Sequence, residues 1–246
     1  MKTQRQRMRQ GPCLGEPVPL SPSDARFPPK LLHLHHIPKE LYAAGNLDLF
    51  TRPGVAFVGS RHASQHGLET ADRIARAVAE ANLVVISGYA KGVDTAAHRA
   101  ALEANGDTIF VLPFGFKHFH LKRELKPVAQ PERILAVSQF PFGQPWFASA
   151  AMKRNETVCG LADSVVVIEA GESGGTVEAA KTARALGKRL YVVDFRVPAP
   201  SAAGNAFLIS ALHANPLRSL RDVMLLIEGT PNGSQGFNAG AQTALF

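Results

Sequence analysis

The chain has 246 residues, 46% hydrophobic and 19% charged, enough for one substantial core and too balanced for a disordered or fibrous protein. Its formal net charge is +7, but Lys2, Arg5, Arg7 and Arg9 supply four of those charges, and the remaining +3 is a mild bias toward a polyanionic partner. Cys13 and Cys159 stand alone, without a CxxC spacing, which argues against a disulfide scaffold or zinc site and fits the reducing cytoplasm.

Taken in chain order, residues 1–22 are basic and then rich in Pro and Gly, and read as a flexible tail. Gly11-Pro12 follows the basic start where a secretory leader would have an apolar run. Short β-branched runs occur at residues 55–58, 83–86, 108–112, 134–137, 165–168 and 190–193. They read as strands buried on both faces and are too short to span a membrane. Between them, Leu68, Ala71, Ile74 and Val78 share one face of a helix running to about residue 81. A second helix follows Asp94, which is expected as its N-cap. Residues 148 to 161 and 176 to 186 read as two more, the latter ended by Gly187. Strands alternating with helices predict an α/β fold: a mostly parallel sheet sandwiched by helices, in one domain over residues 23–228. Residues 229–246 lack periodicity and read as a second flexible tail, whose final Ala-Leu-Phe could dock on a partner.

Ligands of such sheets bind at the carboxyl ends of the strands, and three turns there have the composition of phosphate cradles. The first is Gly59-Ser60-Arg61, where glycine admits close approach, Ser60 offers a hydroxyl and Arg61 a fork of donors. The second runs from Ser87-Gly88 through Lys91 and Gly92 into the helix after Asp94, combining free N–H groups with a cation. The third is Gly174-Gly175-Thr176, opening the helix that carries Glu178. A glycine in such a turn is often there for the turn alone, but three of them on one sheet edge point to phosphate binding. No G-x-G-x-x-G and no P-loop occurs, which disfavours ordinary NAD and ATP sites. No Ser-His-Asp triad, metal cluster or paired carboxylates are seen, so a binding protein without catalysis or cofactor is expected.

The ordered motifs resemble the DNA-processing protein DprA (Smf) family. They are Asp24-Ala25-Arg26-Phe27-Pro28, Gly59-Ser60-Arg61, Ser87-Gly88-x-Ala90-x-Gly92-x-Asp94, Gln139-Phe140-Pro141, Lys153-Arg154-Asn155, Asn205 and Leu220-Arg221-Asp222-Val223. The resemblance covers about residues 24–228. It implies an extended Rossmann-like fold, single-stranded DNA binding in DNA processing, recombination or natural transformation, homodimerisation, and handover of the strand to RecA. Carried over by position, Arg61, Ser87, Gly88, Lys91, Lys153, Arg154 and Asn155 are expected to line a DNA phosphate groove. Gln139 replaces the family's usual Glu, and Glu156 stands where a basic residue is expected, which would take positive charge from the groove. Residues 229–246 are not expected to form the winged helix that some members carry after this point.

Lys153-Arg154-Asn155 and Gly174-Gly175-Thr176-Val177-Glu178 also resemble the related LOG, or lysine-decarboxylase-like, family. That likeness implies a nucleotide sensor, or an N-glycosidic-bond hydrolase using Glu178. The plain reading of Glu178 is an acid favoured by the macrodipole of a first helical turn. A third reading is a scaffold with a decayed groove that works through protein contacts. His33, His35 and His36 read as an ordinary solvated or packed segment, and His98 as either a phosphate contact or a structural hydrogen bond. The stretch from Phe114 to Arg123 interleaves aromatic and basic residues, and reads either as a platform for bases or as a loop packing its phenylalanines inward.

Overall fold

A computed structural model describes residues 14–233. The six β-branched runs form β3 (Gly54–Val58), β4 (Val84–Ser87), β5 (Thr108–Val111), β6 (Ile134–Ser138), β7 (Ser164–Val167) and β8 (Arg189–Val193). Three further strands, β1 (Val18–Leu20), β2 (Leu41–Gly45) and β9 (Asn215–Leu217), complete a nine-stranded sheet of order β1-β2-β6-β5-β4-β3-β7-β8-β9. Every pairing from β6 to β9 is parallel, whereas β2 runs antiparallel to both β1 and β6.

β1 corrects the expectation of a tail over residues 1–22: Val18 pairs with Ala43, and Leu20 is fully buried. Apolar burial outweighs the turn-prone composition around it. The expected tail from residue 229 likewise begins with buried Thr230, whose hydroxyl donates to the Leu226 carbonyl at 2.9 Å. Lys2, Arg5, Arg7, Arg9, Cys13 and the final Ala-Leu-Phe lie outside the described residues.

The helices are α1 (Gln65–Glu80), α2 (Val93–Glu103), α3 (Ala148–Leu161), α4 (Gly175–Ala185), α5 (Asn205–Ala211) and α6 (Leu220–Glu228). The period-two alternation of the strands divides them between the two faces. Val55, Phe57, Val85 and Val166 point to a layer holding Ile74 and Val78 of α1, Ala97 and Ala101 of α2, and Leu226 of α6. Ala56, Val58, Ile86, Val165 and Val167 point the other way, toward Val158 of α3, Ala180 of α4, and Phe27, Leu31 and Phe50 of the opening segment. Lys30 pins that segment down, donating to Asp163 Oδ2 at 2.6 Å; the same oxygen accepts from the backbone N–H of Gly54 at 2.8 Å.

One start signal differs from expectation. α2 is capped by Gly92 at φ +74°, and Asp94 sits in its first turn, buried. A β-carbon at residue 92 would overlap the Ser60 carbonyl oxygen, so only glycine passes between the two turns. Ser64 caps α1, and Ser219 with Asp222 makes a reciprocal capping box at α6.

The chain runs from β3 outward through β4, β5 and β6, then returns to place β7 on the other side of β3. The connections leaving β3 and β7 therefore diverge, and a crevice opens between the carboxyl ends of those two strands.

Candidate phosphate-binding site

A cavity of about 370 Å³ occupies that crevice. Its wall combines Gly59 and Arg61 after β3, Ala90 and Asp94 from the turn into α2, Met152, Arg154 and Asn155 of α3, and Gly175 and Thr176 of α4.

Arg154 is the buried cation of this wall. Only 5% of it is exposed, and its Nη1 stands 3.9 Å from Asp94 Oδ2, too far for a close hydrogen bond. Among the described residues its Nε has no hydrogen-bond partner. Burial pushes the guanidinium pKa down, the Asp94 carboxylate pushes it up, and the neighbouring Arg61 pushes it down again. Arginine stays protonated regardless, so this is a buried cation with one loosely held counter-charge. Such a group gains from any anion that reaches it. Gly88 makes room for it, since a β-carbon there would overlap the guanidinium.

Arg61 supplies the second cation. It is exposed, and its Cζ lies 5.5 Å from the centre of the Trp146 ring, within cation–π range. The third element is the start of α4. Gly174, at φ +103°, is its N-cap; no side chain caps this end, which therefore presents orphan N–H groups and the positive pole of the helix. Asn155 fixes the turn by donating from Nδ2 to the Gly175 carbonyl at 3.0 Å. Two guanidinium groups and a helix N-terminus thus converge on one small cavity, an arrangement suited to a phosphate.

The remaining sequence candidates fall elsewhere. Ser60 Oγ accepts from the His62 N–H at 3.1 Å, and its backbone bridges Glu169 and Val93. Ser87 is fully buried and donates to the Phe57 carbonyl at 2.6 Å, so its hydroxyl is spent inside the sheet. Lys91 and Gly92 line a different hollow, and exposed Lys153 and Gly174 are outside the cavity wall. Glu178 is exposed and paired with Lys181 at 2.8 Å, also outside the cavity. Glu156 is likewise outside the cavity wall. It faces the opening segment, where Oε1 accepts from the His36 N–H at 3.3 Å.

The hollow beside Lys91 is larger, about 1150 Å³, and lies between α1, α2 and residues 120–126. Size does not make it the better candidate. Two of the arginines that line it are matched to acids, Arg76 to Glu103 at 2.9 Å and Arg99 to Asp72 at 3.4 Å, and unlike Arg154 they lie near the surface.

The stretch from Phe114 to Arg123 packs inward. Phe116 is buried, and the Phe119 ring lies tilted against Tyr89 with their centres 5.5 Å apart. Lys122 turns back from it to hold the second turn, donating to the Ala90 carbonyl at 2.7 Å and Thr95 Oγ1 at 2.8 Å, with the Tyr89 ring 4.6 Å away. Burial lowers its pKa to about 8. His98 is structural, its Nδ1 2.7 Å from Thr108 Oγ1, and burial holds its pKa well below the usual imidazole value.

Three site residues escaped the sequence reading. Trp146 and Met152 line the cavity, and neither is a residue type that signals a phosphate ligand. Buried Glu169, at the end of β7, accepts from the Ser64 N–H at 2.8 Å, from Ser64 Oγ, and from Ser201 Oγ at 2.7 Å, tying α1 to the crevice.

The family model of DNA recombination-mediator protein A matches residues 19–228. Protein Smf of Escherichia coli is 32% identical over 193 residues, covering 77% of this chain and 52% of that protein. DNA processing protein DprA of Streptococcus pneumoniae is 34% identical over 173 residues, covering 69% and 60%. The chain thus spans about half the length of such curated relatives. The crystal structure of the pneumococcal DprA superposes with a TM-score of 0.75 at 29% identity, covering 90% of this chain and 76% of that one. A Helicobacter pylori DprA structure, described for its single-stranded DNA binding mode, superposes at 0.76 with 23% identity, covering 89% and 99%, a likeness of fold.

Proposed function

The chain belongs to the DNA recombination-mediator protein A family, and from that premise we propose that it binds single-stranded DNA in DNA processing or recombination, without catalysis. The observation that carries the reading is the convergence of Arg61, under-paired Arg154 and the uncapped start of α4 on one cavity. A backbone phosphate seated there would receive charge-assisted hydrogen bonds from both guanidinium groups, and no sequence preference follows from such contacts. The proposal extends to a cytoplasmic homodimer that passes the strand to a RecA-like recombinase. The nucleotide-cleaving alternative is not favoured, because Glu178 points its charge at Lys181 and lies off the cavity wall.

The test is fluorescence anisotropy of a labelled single-stranded oligonucleotide at several salt concentrations, competed with duplex and with mononucleotides. Salt-sensitive binding that mononucleotides do not displace is expected. Arg61→Ala should weaken it and reduce the salt slope by about one. An unchanged slope would remove Arg61 from the phosphate contact. Easy displacement by a mononucleotide would replace a strand with a small ligand.

A further inference from the structure

Phe142, Trp146 and Phe147 are 49%, 48% and 51% exposed, three large aromatic residues within six positions. Exposure of that kind normally accompanies a mobile loop or a surface awaiting a partner. Mobility is opposed by the hydrogen bonding of this connection. The Gly115 N–H donates to the Gln144 carbonyl at 2.8 Å, the Lys117 N–H to the Phe142 carbonyl at 3.0 Å, and the Gln144 N–H to the Pro141 carbonyl at 2.9 Å. His118 Nε2 lies 3.1 Å from the Gly143 carbonyl oxygen. Gly115 admits this closeness, since a β-carbon there would overlap the Pro141 and Phe142 carbonyl oxygens. The aromatic side chains therefore stand on a braced segment, exposed by construction.

The segment ends at the cavity. Phe147 is the N-cap residue of α3, and Trp146 forms part of the cavity wall with Arg61 over its ring. The indole lies beside the Arg61 guanidinium on the cavity wall while about half of the tryptophan stays open. Aromatic faces beside cationic phosphate contacts are the chemistry by which single strands are held without regard to sequence, because every base has a π-face.

We propose that the braced Phe142–Phe147 connection is a base-stacking platform, with Trp146 receiving the nucleobase next to the phosphate held by Arg61 and Arg154. It rests on the phosphate reading above and adds to it a requirement for bases. Trp146 is at once a binding residue, through its open surface, and a positioning residue for Arg61.

The chain has a single tryptophan, so its intrinsic fluorescence reports Trp146 alone. The experiment titrates the full chain with an oligothymidylate and with an abasic oligonucleotide of equal length, which presents the same phosphates without bases. Oligothymidylate is expected to quench the emission and to bind about tenfold or more tightly than the abasic strand. Trp146→Ala should bring the ratio of the two affinities to about one, and Trp146→Phe should restore most of it. Because Trp146 is half exposed, the variants are expected to fold, which circular dichroism checks. Equal affinity of the wild-type chain for both strands, with unchanged emission, would overturn the platform and leave the phosphate site standing. Binding of neither strand would overturn the phosphate reading as well.

Discussion

Gly88 and Arg154 occupy one another's space: the guanidinium lies where the side chain of residue 88 would otherwise begin. The turn after β4 and the helix α3, far apart in sequence, are thereby made parts of one site. Gly88→Ala is expected to push Arg154 out of its seat, at about 1–3 kcal/mol of stability, as for other overpacked interiors. It should also lower single-strand affinity by at least about tenfold. Urea unfolding and anisotropy measure the two effects. Paired with Arg154→Ala, the second substitution should add little to the first, since both act on one group.

Ser87 provides a control that separates composition from geometry. Its hydroxyl donates to the Phe57 carbonyl within the sheet. Ser87→Ala should leave DNA affinity within twofold of the wild type and lower stability by about 1 kcal/mol, the worth of one net hydrogen bond. A loss of affinity matching that of Arg61→Ala would instead place the hydroxyl at the ligand.

Lys122 predicts a pH dependence. Burial disfavours its charged form and sets its folded pKa at about 8, against 10.5 unperturbed; Asp94 and Glu124 oppose that shift, and Arg154 and Lys91 add to it. Below pH 8 both folded and unfolded chains carry the proton, and the burial penalty is present in full. Between pH 8 and 10.5 the unfolded chain binds more protons, so this group makes stability rise with pH. Chemical unfolding of the wild type and Lys122→Met across pH 7–10 should give a difference curve that is flat to pH 8 and then climbs. A curve that stays flat would mean that Lys122 is solvated.

Glu169 carries a structural prediction. Its carboxylate accepts from Ser64 and Ser201, and a β-carbon at Gly67 would overlap it. Glu169→Gln replaces one acceptor oxygen with a donor facing donors, and should cost about 1.5–3 kcal/mol in urea unfolding. Gly67→Ala should cost a similar amount through the same contact, with the two losses less than additive.

The central strands were legible because both faces of each are buried, which writes an unbroken apolar run into the sequence. β1 and β9 were not, since three residues are too few to show a period; β2 owes its place to pairing with β6, a contact invisible locally. The site was half legible. Glycine turns and Arg61 announce themselves, but which way a turn faces does not. The second turn sends Ala90 and Asp94 into the cavity and Lys91 into the neighbouring hollow. Helical phase decided α3: Met152 and Asn155 line the wall, Arg154 reaches across to Gly88, and Glu156 turns to His36. Trp146 could not have been placed by any local rule, because its role depends on a residue 85 positions earlier, Arg61.

The two outermost strands of the described sheet share one further property. β1 has Pro19 at its middle and β9 has Pro216 at its middle, each in register with a neighbouring strand on the inner side. A proline offers no N–H, so neither margin presents the row of donors on which another strand could crystallise. The missing donor at each rim disfavours lateral growth of this sheet into ribbons or fibres without any use of charge. Copies of this chain at high local concentration would be spared that route to aggregation.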